Sequence, residues 1–385
     1  MLGRETPPEQ LRPTQTPYFI LPGAESLNLR PAFSSLVEFR TGDYRSWILG
    51  GQIVRPPRRI RVMSQIHVIH ENPAWLPPLT DALNARGLPW TEWFMHNGVF
   101  DLAAPPPEGV FYNRMSASSH TRDHRFSAEL TACVLAWLTR WGRIVVNGPA
   151  ALDLEISKVR QYAALEAAGL RTPRTVMVAG RDQIVAAAQT HFGGEAVILK
   201  PNRGGKGLGV QLFHTLEGLK DHVGSDRYVE PVDGIQLLQA YVRATRPVIT
   251  RAEFTGRRFT YAVEVDTSDG FELCPADVCV IGEAACPVGE DPGRPANKFT
   301  VVDNIDPGLV GRLEGFLERT GVDVAGIEFI VGTDGQALVY DVNTNTNYNP
   351  DAEARAGIAG TPRSGMGALA AYLGDLLAQT RSRAA

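Results

Sequence analysis

The segment Ala196-Val197-Ile198-Leu199-Lys200-Pro201 runs directly into Asn202-Arg203-Gly204-Gly205-Lys206-Gly207-Leu208-Gly209-Val210. No other stretch restricts the fold as strongly. A short apolar run that ends in a cation reads as a buried strand. Glycine at 204, 205, 207 and 209 bars a stable helix or an ordinary strand from the next segment. Such a loop lets backbone N–H groups approach an anion with no Cβ in the way. Lys200, Arg203 and Lys206 place positive charge on both sides of it. The competing reading is a plain hairpin turn carrying exposed basic residues. Two phosphate motifs are excluded. Gly207, not Ser or Thr, follows Lys206, so this is not a P-loop. The glycines alternate, so the dinucleotide-binding spacing is absent as well. A strand on either side of alternating glycines suggests a hairpin flap lying over phosphates.

A second motif lies far downstream. Gly326-Ile327-Glu328-Phe329-Ile330-Val331 is an apolar run with one acid in it, and Gly332-Thr333-Asp334-Gly335 is a turn signature. Gln336 to Val342 returns as a second strand. In a hairpin of this length Glu328 and Asp341 can lie opposite each other. Asn343, two residues beyond Asp341, points to the same face. Two carboxylates and an amide oxygen form a hard-oxygen set suited to Mg²⁺. Solvated surface acids are the alternative, but an unpaired charge inside so apolar a strand is costly. Taken together, a phosphate loop and a metal hairpin point to an enzyme that uses Mg-ATP.

On these motifs the chain resembles the ATP-grasp ligases, and within them the ribosomal-protein glutamate ligases and related amino-acid ligases. The resemblance spans roughly 109–377. The parts occur in the family's order. Lys158, after Ser157, stands where the family has a lysine near the nucleotide. Lys200 stands where the second lysine contacts phosphates. Arg203, Gly204, Gly205, Lys206, Gly207 and Gly209 occupy the flap position. Leu237 to Val242 resembles the hinge segment that holds adenine, which assigns Gln239, Ala240, Tyr241 and Val242 to the nucleotide. Arg251 matches the arginine after the hinge, and Glu328, Asp341 and Asn343 match the metal ligands. Tyr112 to Ser116 resembles the strand of the preceding domain that faces the site. The chain departs from the family at Ala240 and Ile249, where acids are common, and at Asp341, where glutamate is more usual.

What the resemblance implies is an α/β (α+β) chain with the ATP-grasp fold and a preceding small parallel-sheet α/β domain. The expected activity is carboxylate–amine ligation through an acyl phosphate, releasing ADP and phosphate. ATP and Mg²⁺ are the expected cofactors, with room for a second ion and for Mn²⁺ as a substitute. Lys200 offsets phosphate charge, and Arg251 holds the acyl phosphate or the carboxylate in a two-pronged contact. Candidate substrate residues are Arg114, Ser116, Asn297, Lys298, Asn345 and Asn347. The loop Thr344 to Pro350 reads equally well as an ordinary polar turn. Expected substrates are a small carboxylate and an amine, amino acid or peptide, with a protein acceptor and a homo-oligomer both compatible. A small-molecule kinase and a non-catalytic nucleotide-binding regulator are the rival functions.

Composition bounds the rest. The 385 residues suggest about two to three domains on length alone. With 44% hydrophobic residues the chain can bury a sizeable core. A formal net charge of −4 gives no support for a nucleic-acid surface. Residues 1–17 lack an apolar signal-peptide core, and Leu130 to Trp141 is too short to cross a bilayer, so a cytoplasmic protein is expected. Cys274, Cys279 and Cys286 lie close in sequence, but with no fourth ligand nearby they read as reduced thiols rather than a zinc site. His67-Val68-Ile69-His70-Glu71 matches neither zinc-protease order, and on a strand its two histidines face opposite sides. The boundaries expected are an N-terminal extension over 1–58, the α/β domain over 59–150, a lysine-and-flap region over 151–241 and a metal-hairpin region over 242–385. Expected helices include 155–168 and 309–320, with long strands over 248–265.

Overall fold

Alternating apolar strands and helices dominate the computed structural model, which describes residues 37–41, 44–49, 52–54, 64–205, 207–268 and 298–383. The chain divides into two compact units, Met1–Arg61 and Val62–Ala385. The first unit contains a three-stranded antiparallel sheet of β1 (Val37–Thr41), β2 (Tyr44–Leu49) and β3 (Gln52–Val54). The expected boundary at Pro56 to Arg59 lies outside the described residues, as do Lys206, Asn297 and the cysteines 274, 279 and 286.

The second unit begins with β4 (Gln65–His70), α1 (Pro77–Ala85), β5 (Trp90–Phe94), β6 (Gly109–Asn113), α2 (Ser127–Arg140) and β7 (Ile144–Val146). The four strands form a parallel sheet in the order β5-β4-β6-β7. Alternation along a strand sends successive side chains to opposite faces. Ile66, Val68, Val110 and Tyr112 meet α1 and the C-terminal helix on one side. Ile69 and Phe111 meet Leu135 and Leu138 of α2 on the other. Both faces are buried, which is why these strands read as nearly continuous apolar runs. His67 stacks on Phe111 at 4.4 Å, whereas His70 pairs with Glu92 at 2.9 Å.

Next come α3 (Pro149–Glu155) and α4 (Lys158–Ala167). The sequence predicts one helix here over 155–168. The structure has two, because Ser157 is extended (φ −149°, ψ 107°) and its hydroxyl caps α4. Then follow β8 (Thr175–Ala179), α5 (Ile184–Phe192), β9 (Val197–Pro201), β10 (Gln211–Phe213), α6 (Leu216–Gly224) and β11 (Ile235–Ala240). These strands form an antiparallel sheet ordered β10-β9-β11-β8. The glycine loop joins β9 to β10, the hairpin position expected of a flap.

A larger antiparallel sheet holds β12 (Val248–Thr255), β13 (Arg258–Asp266), β14 (Phe299–Val302), β15 (Val324–Val331) and β16 (Ala337–Asn343), in the order β14-β13-β12-β15-β16. The long strands expected over 248–265 are β12 and β13, paired as a hairpin. Gly256 and Arg257 both have positive φ (58° and 66°) and turn the chain. α7 (Pro307–Thr320) packs on this sheet through Leu309, Leu313, Phe316 and Leu317, closing a core that also includes Tyr162, Ile327, Val339 and Val342. The chain ends in α8 (Pro350–Arg355) and α9 (Gly365–Arg383), and the latter is the helix that covers the parallel sheet. No helix among the described residues is long and apolar enough to cross a membrane.

Candidate active site

Two sheets open onto one cleft of about 810 Å³. Its wall is built from the ends of β9 and β11, the glycine loop, and the cleft face of β12, β15 and β16. Among the residues singled out in the sequence, Ser116, Lys158, Lys200, Gly204, Gly205, Gly207, Gln239, Ala240, Tyr241, Val242, Arg251, Glu328, Asp341, Asn343, Asn345 and Asn347 all line it. They come from five regions of the chain, and the fold brings them together.

The β15–β16 hairpin pairs as expected, by way of a one-residue shift between Glu328 and Phe329. Glu328 lies opposite Asp341, and Gly326 opposite Asn343. Asn343 Nδ2 donates to Glu328 Oε1 at 3.0 Å. Lys158 Nζ donates to Asp341 Oδ1 at 2.8 Å. Burial pushes the Asp341 carboxyl upward, but the ammonium groups of Lys158 and Lys200 outweigh it and hold the acid below its ordinary value. Lys158 is shifted the other way. Burial pulls it down, and Asp341 more than compensates, so it stays firmly protonated. Among the described residues no three histidine, cysteine or acidic side chains converge on a common point. Two carboxylates and an amide still fit Mg²⁺, which commonly takes one or two protein carboxylates and completes its shell with phosphate and water.

Lys200 closes β9. Its Nζ lies 3.5 Å from the carbonyl of Tyr340 and 5.3 Å from the ring centre of Tyr162. Burial, reinforced by the nearby Lys158 ammonium, lowers it to about 7. Asn202 fixes the base of the glycine loop to the start of α4. Its Oδ1 accepts from Ser157 Oγ and Val159 N, and its carbonyl accepts from Lys158 N. Gly207 and Gly209 have φ of 68° and 73°, a region few other residues enter. Gln239 turns its amide inward to Tyr162 and Thr175, at 3.0 and 2.9 Å, and so braces the hinge from behind.

Arg251 differs from expectation. All three guanidinium nitrogens already have protein partners: Nε donates to Glu253 at 2.7 Å, Nη1 to Glu328 at 3.1 Å and Nη2 to Thr346 at 2.6 Å. It therefore anchors the metal hairpin as well as lining the cleft. Arg114 does not line the cleft. It is 3% exposed and bonds to Asn345, Asn347 and the carbonyl of Trp75 from behind. Arg203 faces the opposite side of the loop, pairing with Glu129 at 2.7 Å beside a second cavity of about 530 Å³ that Gly209 also lines. Lys298 sits next to β14, where its carbonyl accepts from Asp266 N at 2.9 Å, and is not part of the cleft wall.

Three further polar residues were not singled out in the sequence: Glu155, which is half-buried and lines the cleft, and the buried Glu253 and Asn147. Glu155 Oε2 accepts from the N–H and hydroxyl of Thr344 (2.8 and 3.0 Å) and from Asn345 N (3.3 Å), while Oε1 accepts from Ala117 N. Burial raises its carboxyl. Glu253 pairs with Arg251 and accepts from Thr346 Oγ1 at 2.8 Å. Asn147 (φ 55°) bonds to Asp323, Val324 and Thr344, joining the end of β7 to β15 and to the chain beyond β16. A polar residue at the end of an apolar strand was the one available hint for Asn147.

No family model and no curated protein matches the chain by sequence. Solved structures do match by shape. The ATP-grasp ligase PsnB, complexed with minimal precursor, Mg and ADP, aligns at a TM-score of 0.52 and 16% identity, over 81% of this chain and 97% of its own. The RimK domain ATP-grasp protein from Sphaerobacter thermophilus DSM 20745 aligns at 0.53 and 19% identity, over 80% and 99%. D-cycloserine synthetase DcsG aligns at 0.54 and 18% identity, over 82% and 99%. At these identities the agreement is one of fold, and it extends over the whole of each relative. The chain thus has the ATP-grasp fold that its ordered motifs led us to expect.

Proposed function

We propose that the protein is an ATP-dependent carboxylate–amine ligase. The observation that carries this reading is the single cleft in which two lysines, a glycine flap and the Glu328–Asp341–Asn343 set face one another. Two neighbours of like fold, one named as a ligase and one as a synthetase, add support. In this reading 59–150 is the preceding domain, 151–241 carries the lysines and flap, and 242–385 carries the metal hairpin. Adenine lies against Gln239 to Val242, and the phosphates lie between Lys158, Lys200 and the flap amides. Glu328, Asp341 and Asn343 would hold Mg²⁺ or Mn²⁺, which when bound supplies charge neutralisation at the phosphate oxygens.

The substrate carboxylate attacks the γ-phosphorus of ATP, forming an acyl phosphate and releasing ADP. An amine then attacks the acyl carbon, its N–H proton is lost, and phosphate leaves as the amide forms. Chemistry of this kind needs positioning and charge neutralisation more than a covalent nucleophile on the enzyme. The lysines and the flap provide both. The carboxylate and amine are an amino acid or a peptide in this reading.

Phosphate release from Mg-ATP across a matrix of amino acids and short peptides, with mass spectrometry of the products, tests the proposal. A product equal to two substrates minus water, formed with ADP, is the expected result. Phosphate retained on an acceptor would make the protein a kinase instead. Background release with every pair, alongside tight nucleotide binding, would make it a regulator.

A further inference from the structure

The alternation of β16 continues beyond its end. Asp341, Asn343, Asn345 and Asn347 all line the cleft, while Val342, Thr344, Thr346 and Tyr348 are buried behind them. The first pair belongs to the metal set, so the second pair extends the same face further along the cleft. Arg114, just after β6, sits behind that second pair. Its Nε donates to Asn345 Oδ1 at 3.2 Å, its Nη2 to Asn347 Oδ1 at 2.9 Å and its Nη1 to the Trp75 carbonyl at 3.1 Å.

A guanidinium has five donors and no acceptor, so each amide must turn its oxygen toward Arg114. That fixes both flips and directs both NH₂ groups away from it. Neither Nδ2 has a hydrogen-bond partner among the described residues, and both side chains face the cleft. The hydroxyls of Ser116 and Ser118, 2.9 Å apart, line the same cleft. We infer that Arg114 is a positioning residue that locks Asn345 and Asn347 into a two-amide donor cradle, and that this cradle takes a carboxylate of the substrate. A carboxylate accepts only and offers two oxygens to two amides. An ammonium would meet two N–H groups there with the Arg114 charge behind them, and Glu155 already has its oxygens engaged by Ala117, Thr344 and Asn345, so the cradle itself does not take the amine. The inference names a substrate group for the cleft and so rests on the ligase reading.

Acetate, the smallest carboxylate of this kind, is the probe. In the full chain labelled with ¹⁵N-asparagine, the Asn345 and Asn347 NH₂ resonances are identified by their loss in Asn345→Asp and Asn347→Asp. Aspartate keeps an oxygen for Arg114 and replaces only the donor. Titration with acetate is expected to move both NH₂ pairs saturably, and methylammonium to move neither. Asn347→Asp should weaken acetate at the remaining amide by about tenfold or more, since a donor to a charged group is lost and a like charge gained. Arg114→Met should abolish the response, and Arg114→Lys should restore part of it. In turnover, Asn347→Asp should raise the KM of the carboxylate substrate and leave the KM of ATP unchanged. Acetate that leaves both resonances in place, or binds Asn347→Asp as well as the wild type, overturns the cradle. Acetate bound at the cradle with no carboxylate driving phosphate release sinks the ligase reading alone. Condensation by Asn347→Asp at the wild-type KM sinks the cradle alone.

Discussion

Lys200 is a cleft residue whose ionisation depends strongly on its surroundings. Burial, aided by the Lys158 ammonium, lowers it from 10.5 to about 7 against the opposing pull of Asp341 and Glu328. Between those two values the unfolded chain holds a proton that the folded chain does not. The residue's cost to folding is therefore full below about 7 and is relieved as pH rises through that window. A polyphosphate beside Nζ restores the charged form. Binding of Mg-ADP is accordingly expected to take up a proton at about pH 8 and none at about pH 6. Calorimetry in buffers of different ionisation enthalpy measures the uptake, and an unchanged uptake in Lys200→Met would count against this assignment. The phosphate role proposed for Lys200 rests on a sequence pattern, a cation between an apolar strand and a glycine loop. Its depressed basicity was not legible in sequence, because that depends first on burial by the assembled sheets and then on Lys158, which arrives from α4.

At the level of elements, the packing of β12 against β15 depends on a missing side chain. Gly326 lies across from the Arg251 guanidinium, and a Cβ there would come within 2.5 Å of its Nε and Nη2. Gly326→Ala is expected to displace Arg251 from Glu253, Glu328 and Thr346, with a loss of about 3 kcal/mol in urea unfolding. Turnover should fall with it, because Glu328 loses its anchor. A second joint is Asn147, whose side chain accepts from two backbone N–H groups and donates to two carbonyls at 2.8–3.0 Å. Asn147→Ala leaves buried backbone groups without partners and should cost on the order of 3 kcal/mol by denaturant titration. The strands themselves were legible because their apolar alternation is local. One break was harder to read: Ser157 interrupts an apparently continuous helix.

For the whole molecule, the cleft joins sheets that are distant in sequence, so ligand binding should report on the stability of the assembled unit. Mg-ADP at a hundred times its Kd is expected to stabilise the fold by about 2.7 kcal/mol, read as a rise in Tm. Chelation with EDTA should remove most of that rise, and Asp341→Asn should reduce the EDTA-sensitive part. A rise that EDTA leaves intact would show that the nucleotide does not depend on the metal hairpin. Five motifs in family order made the fold readable, although no single one identifies it. The roles of Arg114 and Arg203 were not readable. The sequence places both beside the site, and the structure turns one behind it and the other away toward Glu129.

The sequence alone determined what depends on neighbouring residues: the glycine loop, the strands and the turn at Gly332 to Gly335 follow from spacing and backbone preference, whereas Glu328 meets Asp341 through a one-residue bulge at Tyr340. Tertiary structure decided which charges meet. Lys158 finds Asp341 across 183 positions, and Arg114 finds Asn345 and Asn347 across 231 and 233. A hydrogen bond is set by a few ångströms and an angle, and at such separations only the packing of whole sheets fixes either.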